Sequence, residues 1–571
     1  MHAYTVAAQG VGSEWAPIRI KVSAKDMDDQ LKHCLPGKHW RLVGNSWKEC
    51  TEDMMLTEAK KDILLKQLLP AAIKLHAERL YVRPMQDPIR MPEKGLGLCT
   101  GLNIPSWHHT IGVSGADMVL YVDAVVSESA IAYAAPCVFL EDGRTYAGVA
   151  KFDSRHIKAT NEAVRTAAHE IGHVLGFSYD RLSRFNMVSK VSNVRGKKEV
   201  WVISSPKVKE LARKYYNCPT LAGMELEESD GEGYDRSHWK KLSAADEFMN
   251  PEAPPMYYSV LTLAAFEDMG VYKANYDMAE PLRWGNNSGC RLLKNKCFTN
   301  GRTNYPELFC KQDSSDRKLL CTYDRLSLGN CGLRTYLHPR SPEFQYFDNP
   351  TLGGSRLMDY CPYATGRAAS GCTNGDTKSI PGSFIGSSSR CVKGEGLLYD
   401  YQEIGDVCVN TQCSGGNLRV QFLGDDTWHD CNEGEMVAPS GGKWSGGSIR
   451  CPKYADVCAA FPNIWALPIP VVAPPLAGDP NSADTNDESG GTNPEPDASP
   501  STYPSHNTNP ERNPTSMRGE VTPNPYGKSS VGGNGNRGGK QSGLGDTSVV
   551  AVGLSSLAVL AVAVAVAMAP L

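Results

Sequence analysis

Eighteen cysteines run from Cys34 to Cys458, and thirteen of them crowd into residues 286–465. The number is even and no Cys-x-x-Cys pair occurs, so zinc ribbons are disfavoured and a disulfide framework of up to nine bridges is expected. Such a framework belongs to an oxidising compartment and staples loop-rich regions that cannot build a large core. Cysteine order does not reveal which residues pair. One sequon, Asn286-Asn287-Ser288, offers Asn286 as a glycosylation site and agrees with secretion.

The two chain ends bear differently on targeting. The first 22 residues have no basic start and no long apolar run, so they do not form a signal peptide. Residues 549–571 carry no charge and are long enough to span a bilayer. Small polar residues precede them, in the pattern of a GPI-attachment signal, with Asn536, Gly538, Gly539 and Ser542 as candidate anchor residues. A simple tail anchor is the alternative. A GPI signal requires the secretory pathway, so the expectation is a cell-surface or extracellular protein whose leader is missing from this sequence. Residues 466–548, rich in Pro, Asn, Ser and Gly, read as a disordered linker. A net charge of -4 gives no reason to expect nucleic acid.

The rest reads as α+β. Residues 1–180 alternate strand and helix patterns. "APIRIKVSA", "DMVLYVDAVV", "SAIAYAAPCVF" and "TYAGVAKFD" read as strands. "LTEAKKDILLKQLLPAAIKLHAERL" has helical spacing that Pro70 should kink or break. "NEAVRTAAHEIGHVLG" reads as a helix, with Asn161 as N-cap and Gly176 as stop. Residues 181–285 read as irregular until a helix at "YYSVLTLAAFEDMG", and residues 286–465 as a disulfide-stapled region.

The chemistry concentrates in "HEIGH". His169 and His173 lie one helical turn apart, so both imidazoles project from one face and can bind one zinc ion. Zinc lowers the pKa of a bound water, and the neighbouring Glu170 can take its proton and later pass it to a leaving amine. A catalytic zinc needs a third protein ligand. The metzincin pattern would place a histidine at position 179, which here is a tyrosine. His238, 65 residues past His173, is the nearest downstream histidine; His338, His429 and His506 lie further on. Met249 follows His238 in a short polar turn and suits a methionine turn beneath the metal. Glu199 is the alternative third ligand, but it sits in a segment reading as strand or loop, and His238 is preferred.

These residues resemble leishmanolysin, the peptidase M8 family of surface metalloproteases. "HEIGHVLGFS", the displaced "RSH" and "DEFMNP" carry the resemblance, together with "YYSVLTLAAFEDMG", "WGNNSGC", "RLSLGNCG" and "MDYCP". It covers roughly residues 15–460. It implies one zinc ion on His169, His173 and His238, Glu170 as general base and Met249 under the metal. It implies a metzincin-like N-terminal domain (1–180), a central domain bearing His238 (181–285) and a C-terminal disulfide-rich domain (286–465). It also implies a GPI anchor, varied protein and peptide substrates, a role in adhesion, and an edge strand at Ala132, Tyr133, Ala134 and Ala135 that aligns the substrate backbone. The family's leader and pro-segment are not found here. A surface adhesion protein of the same fold with little catalysis is the competing expectation, against which Glu170 stands.

Overall fold

The computed structural model describes residues 2–4, 14–29, 32–34, 40–43, 46–127, 130–228, 236–252, 256–312 and 318–458. The linker, the apolar C-terminal segment and the anchor candidates Asn536, Gly538, Gly539 and Ser542 lie outside these residues. No described helix is long and apolar enough to cross a membrane.

A five-stranded mixed sheet organises the first part of the chain. Its strands are β1 (His2–Tyr4), β2 (Ile20–Ser23), β3 (Met118–Val125), β4 (Ala132–Phe139) and β5 (Thr145–Asp153), in the order β1-β2-β3-β5-β4. β2, β3 and β5 run parallel, while β4 is antiparallel to β5 and forms one edge. β3 is buried along nearly its whole length, and its apolar run "MVLYVDAV" has the composition that a central strand covered on both faces requires.

Helices α1 (Glu58–Asp62) and α2 (Leu69–Ala77) are joined by a wide π-helical stretch at Ile63–Leu68. Pro70 therefore does not break the helix. It lacks an amide hydrogen and sits at the start of α2, where the widened turn before it absorbs the lost bond. Helix α3 (Asn161–Leu175) packs against β4 and β5 on one side and α2 on the other. Its N-cap is Thr160, not Asn161: the Thr160 hydroxyl accepts the Ala163 amide, and Asn161 is the first helical residue. Gly176 ends the helix as expected, with φ +124°, a conformation that a side chain would strain.

Gly148 on β5 sets how closely α3 approaches the sheet. A Cβ there would lie 2.3 Å from Val174 Cγ1 and 2.9 Å from the Ala135 carbonyl oxygen. Gly148→Ala should force helix and strand apart and lower stability by about 1–3 kcal/mol. Thermal denaturation checks this, and an unchanged midpoint would show that the contact has slack.

Residues 181–285 are more regular than their sequence suggests. They hold the hairpin β6 (Val188–Val194) and β7 (Lys197–Ile203), helix α4 (Pro206–Tyr216) and helix α5 (Val260–Asp268). The hairpin has no clear sequence signature, because its strands mix polar and apolar residues without strict alternation, although Val194, Val200, Val202 and Ile203 are buried. One apolar core runs from Ile18 to Leu293 and joins residues on both sides of position 180. Further on, β8 (Ser389–Tyr399), β9 (Val407–Ser414), β10 (Asn417–Gln421) and β11 (Trp444–Arg450) form most of a seven-stranded sheet with its own core.

All eighteen cysteines pair. The bridges are Cys34–Cys50, Cys99–Cys137, Cys218–Cys290, Cys297–Cys361, Cys310–Cys331, Cys321–Cys391, Cys372–Cys408, Cys413–Cys458 and Cys431–Cys451.

Candidate metal centre

Helix α3 presents His169 and His173 one turn apart, and both are buried. His169 Nδ1 lies 2.8 Å from the Phe248 carbonyl oxygen, and His173 Nδ1 lies 2.7 Å from that of Phe177. A carbonyl only accepts, so each Nδ1 is assigned the hydrogen and each Nε2 keeps its lone pair. The two Nε2 atoms face each other at 3.0 Å. Two lone pairs in that position repel unless a cation sits beside both.

The third member arrives from a distant segment. Around His238, the Glu227 amide donates to the His238 carbonyl (2.8 Å), and the Lys240 amide donates to the Glu225 carbonyl (2.8 Å). This short antiparallel pairing sets the His238 ring 5.3 Å from that of His169 and 5.1 Å from that of His173, centre to centre. One nitrogen from each of the three rings lies within 4.8 Å of the others. His238 Nε2 is buried with no hydrogen-bond partner among the described residues. The donor set and the orphaned nitrogen fit a divalent transition-metal ion, with neutral imidazoles as ligands. Burial favours that neutral form: it pushes His169 down to about 4, despite the opposing Phe248 carbonyl, and His173 and His238 well below the ordinary value.

Glu170 lies beside the triad. Both of its carboxyl oxygens are buried and neither has a partner among the described residues. Burial alone raises its pKa well above the ordinary carboxylate value. An unpartnered carboxyl this deep is destabilising, and such a group is commonly retained for chemistry rather than for the fold.

A tight turn closes the centre from below. Met249 is fully buried against α3, and a Cβ at Gly172 would come within 2.8 Å of its sulfur. The turn is built around Glu247, which the sequence reading missed. Glu247 Oε2 accepts the Met249 amide at 2.6 Å, while Oε1 accepts the Ser259 and Thr262 hydroxyls at 2.7 and 2.6 Å. The reading also missed His76, whose Nε2 lies 2.8 Å from the Ala168 carbonyl and whose Nδ1 lies 3.1 Å from the Tyr258 hydroxyl. No local pattern distinguishes Glu247 or His76 from ordinary buried residues, and the Phe177 and Phe248 carbonyls have no sequence signature.

The other candidates fall elsewhere. Glu199 lies on β7, ion-paired with Lys190 at 2.8 Å, and is not part of the histidine cluster. His429 bonds Asp425, and His338 is exposed. Among the described residues the other possible metal cluster is Cys321, Cys391 and Asp406, but its two cysteines are bridged to each other. Ala132, Tyr133, Ala134 and Ala135 lie on the edge strand β4, beside which α3 packs. Asn286 is exposed.

Helix-borne His-Glu-x-x-His completed by a third histidine is a metallopeptidase arrangement. The family model for leishmanolysin, peptidase M8, matches residues 1–466, and the chain belongs to that family. It is 35% identical over 467 residues to leishmanolysin of Leishmania major, covering 78% of this chain and 76% of that protein. A leishmanolysin homolog of Crithidia fasciculata is 33% identical over 471 residues, covering 78% and 71%. A leishmanolysin-like peptidase of Drosophila pseudoobscura pseudoobscura is 25% identical over 543 residues, covering 71% and 78%.

Proposed function

We propose that this metallopeptidase is a zinc-dependent endopeptidase of the metzincin class, with His169, His173 and His238 as zinc ligands and Glu170 as its general base. The observation that carries this reading is the set of inward-facing imidazole nitrogens, two at 3.0 Å and one orphaned, beside an unpartnered carboxyl. Zinc held there supplies Lewis acidity toward a peptide carbonyl and toward a water molecule.

The chain's own residues do the rest. The Phe177 and Phe248 carbonyls hold His173 and His169 in the tautomer that directs Nε2 at the metal. Glu170, neither a ligand nor hydrogen-bonded, takes a proton from water on one of its carboxyl oxygens and returns it to the departing amine nitrogen. Met249 and Glu247 keep the floor of the centre rigid. β4 has no strand partner on its outer side among the described residues. An extended peptide adding there would be aligned by main-chain bonds around Ala132–Ala135, which tolerates many side-chain sequences.

The apolar segment 549–571 supports display of the enzyme at the cell surface through a GPI anchor, and Asn286 is positioned to carry a glycan. The test is cleavage of a reduced, unfolded protein by the purified disulfide-bonded chain, with bound zinc measured in parallel. Cleavage that stops with a chelator and returns with zinc is the expected outcome. Stoichiometric zinc without any cleavage would favour a binding protein for adhesion instead.

A further inference from the structure

The three histidines are not held alike. His169 and His173 are each oriented by a hydrogen bond from Nδ1 to a backbone carbonyl. His238 Nε2 has no hydrogen-bond partner among the described residues, so the aim of this ring depends on the backbone that carries it. That backbone is the short pairing of residues 225–227 with 238–240.

A buried ion cluster pins this pairing on both sides. Lys240, two residues past His238, is fully buried. Its Nζ bonds Glu227 Oε1 at 2.9 Å, the Glu228 carbonyl at 3.0 Å and Asp359 Oδ1 at 2.7 Å. Asp359 also accepts from Lys197 at 2.9 Å and from Arg195 Nη2 at 3.0 Å, and Arg195 in turn grips Glu225 at 2.5 Å. Three cations meet three carboxylates, so the cluster is neutral, and both paired strands are tied to it through Glu225, Glu227 and Lys240.

Asp359 is the member that comes from afar. It lies in the disulfide-rich region, 121 residues beyond His238, in a turn where Asp359 and Tyr360 both have left-handed backbones. The Tyr346 hydroxyl donates to the Asp359 carbonyl at 2.7 Å, and the Cys297–Cys361 bridge stands two residues on. The turn is therefore held independently of the metal centre.

We propose that Asp359 is a positioning residue for the third metal ligand: through Lys240 it fixes the strand carrying His238, so that the disulfide-rich region sets the affinity of the metal centre. This rests on the zinc-site reading above. Groups that orient metal ligands without touching the metal typically contribute 10- to 100-fold in affinity.

The experiment compares the full disulfide-bonded chain with Asp359→Asn and with Val392→Ala, a change in the separate core of the seven-stranded sheet. Zinc dissociation constants are measured by competition with a chromogenic chelator, well below each protein's melting temperature. The visible spectrum of the Co2+-substituted protein is recorded for each. Asp359→Asn should bind zinc on the order of 10- to 100-fold more weakly and alter the Co2+ bands, while Val392→Ala should melt earlier yet match wild type in both. If Asp359→Asn does not fold, the charge-balanced pair Lys240→Met with Asp359→Asn takes its place, with the same weakened affinity expected. Wild-type affinity and an unchanged Co2+ spectrum in the folded variant overturn this inference alone. A wild type that binds no zinc, or that keeps it after His169→Ala, overturns the metal centre and this inference with it.

Discussion

Glu170→Gln should abolish most turnover while leaving zinc content and melting temperature close to wild type. The substitution is nearly isosteric. Neither carboxyl oxygen has a partner among the described residues, so no hydrogen bond is lost and no neighbour is stranded. An amide cannot take a proton from water at neutral pH. Loss of a positioned general base slows catalysis by roughly 100- to 10,000-fold. The measurement is kcat on a fluorogenic peptide, beside metal analysis and a thermal melt. Loss of zinc with loss of activity would make Glu170 part of metal binding. Activity within a few fold of wild type would remove it from the chemistry.

The second large effect is expected in stability, at Glu280→Ala. Arg165 lies one turn before His169 on α3 and forms a two-pronged ion pair with Glu280 at 2.5 Å. Glu280 also accepts the Tyr258 amide at 2.8 Å, and Arg79 lies 3.7 Å away. It thus ties α3 to the segment that follows the methionine turn. Alanine would leave the buried Arg165 without a carboxylate partner among the described residues and Arg79 with only Glu78, 3.8 Å away, and breaking a buried pair from one side costs about 3–5 kcal/mol. A domain of ordinary stability has about 5–15 kcal/mol in total, so the melting midpoint should fall sharply. Burial raises the Glu280 pKa, but Arg165 and Arg79 outweigh it and hold the carboxyl below its ordinary value. A carboxyl lowered on folding stabilises fully above its unfolded pKa, about 4.3, and loses that contribution as the pH falls through its folded value. The gap between wild type and variant should therefore narrow in acid. A midpoint within a few degrees of wild type, or a gap that widens in acid, would contradict this account.

Local regularities made much of the centre readable in advance. Two histidines four apart on a helical pattern must share a face, whatever surrounds them, because helix geometry sets the direction of each side chain. Gly176 as the stop follows from the left-handed conformation that ends many helices. The absence of a histidine at position 179 was equally readable, and it sent the search for a ligand downstream to His238. One local reading failed where neighbouring residues competed for one role. Thr160 rather than Asn161 caps α3, since either side chain can accept the free amide and the entering chain selects between them. Pro70 was absorbed by a widened turn because packing of α2 against α3 favours an unbroken helix more than local propensity opposes it.

The chemistry offered by α3, the parity of the cysteines and the likeness to a peptidase family are all legible from residue type and short-range spacing. The rest was set by the tertiary structure. It chose one pairing of eighteen cysteines, brought His238 across 65 residues to its partners, and aimed two backbone carbonyls at the Nδ1 atoms of His169 and His173. It also carried Asp359 from the disulfide-rich region to Lys240. These contacts join segments far apart in the chain, and closing such loops is repaid only when the whole core forms together.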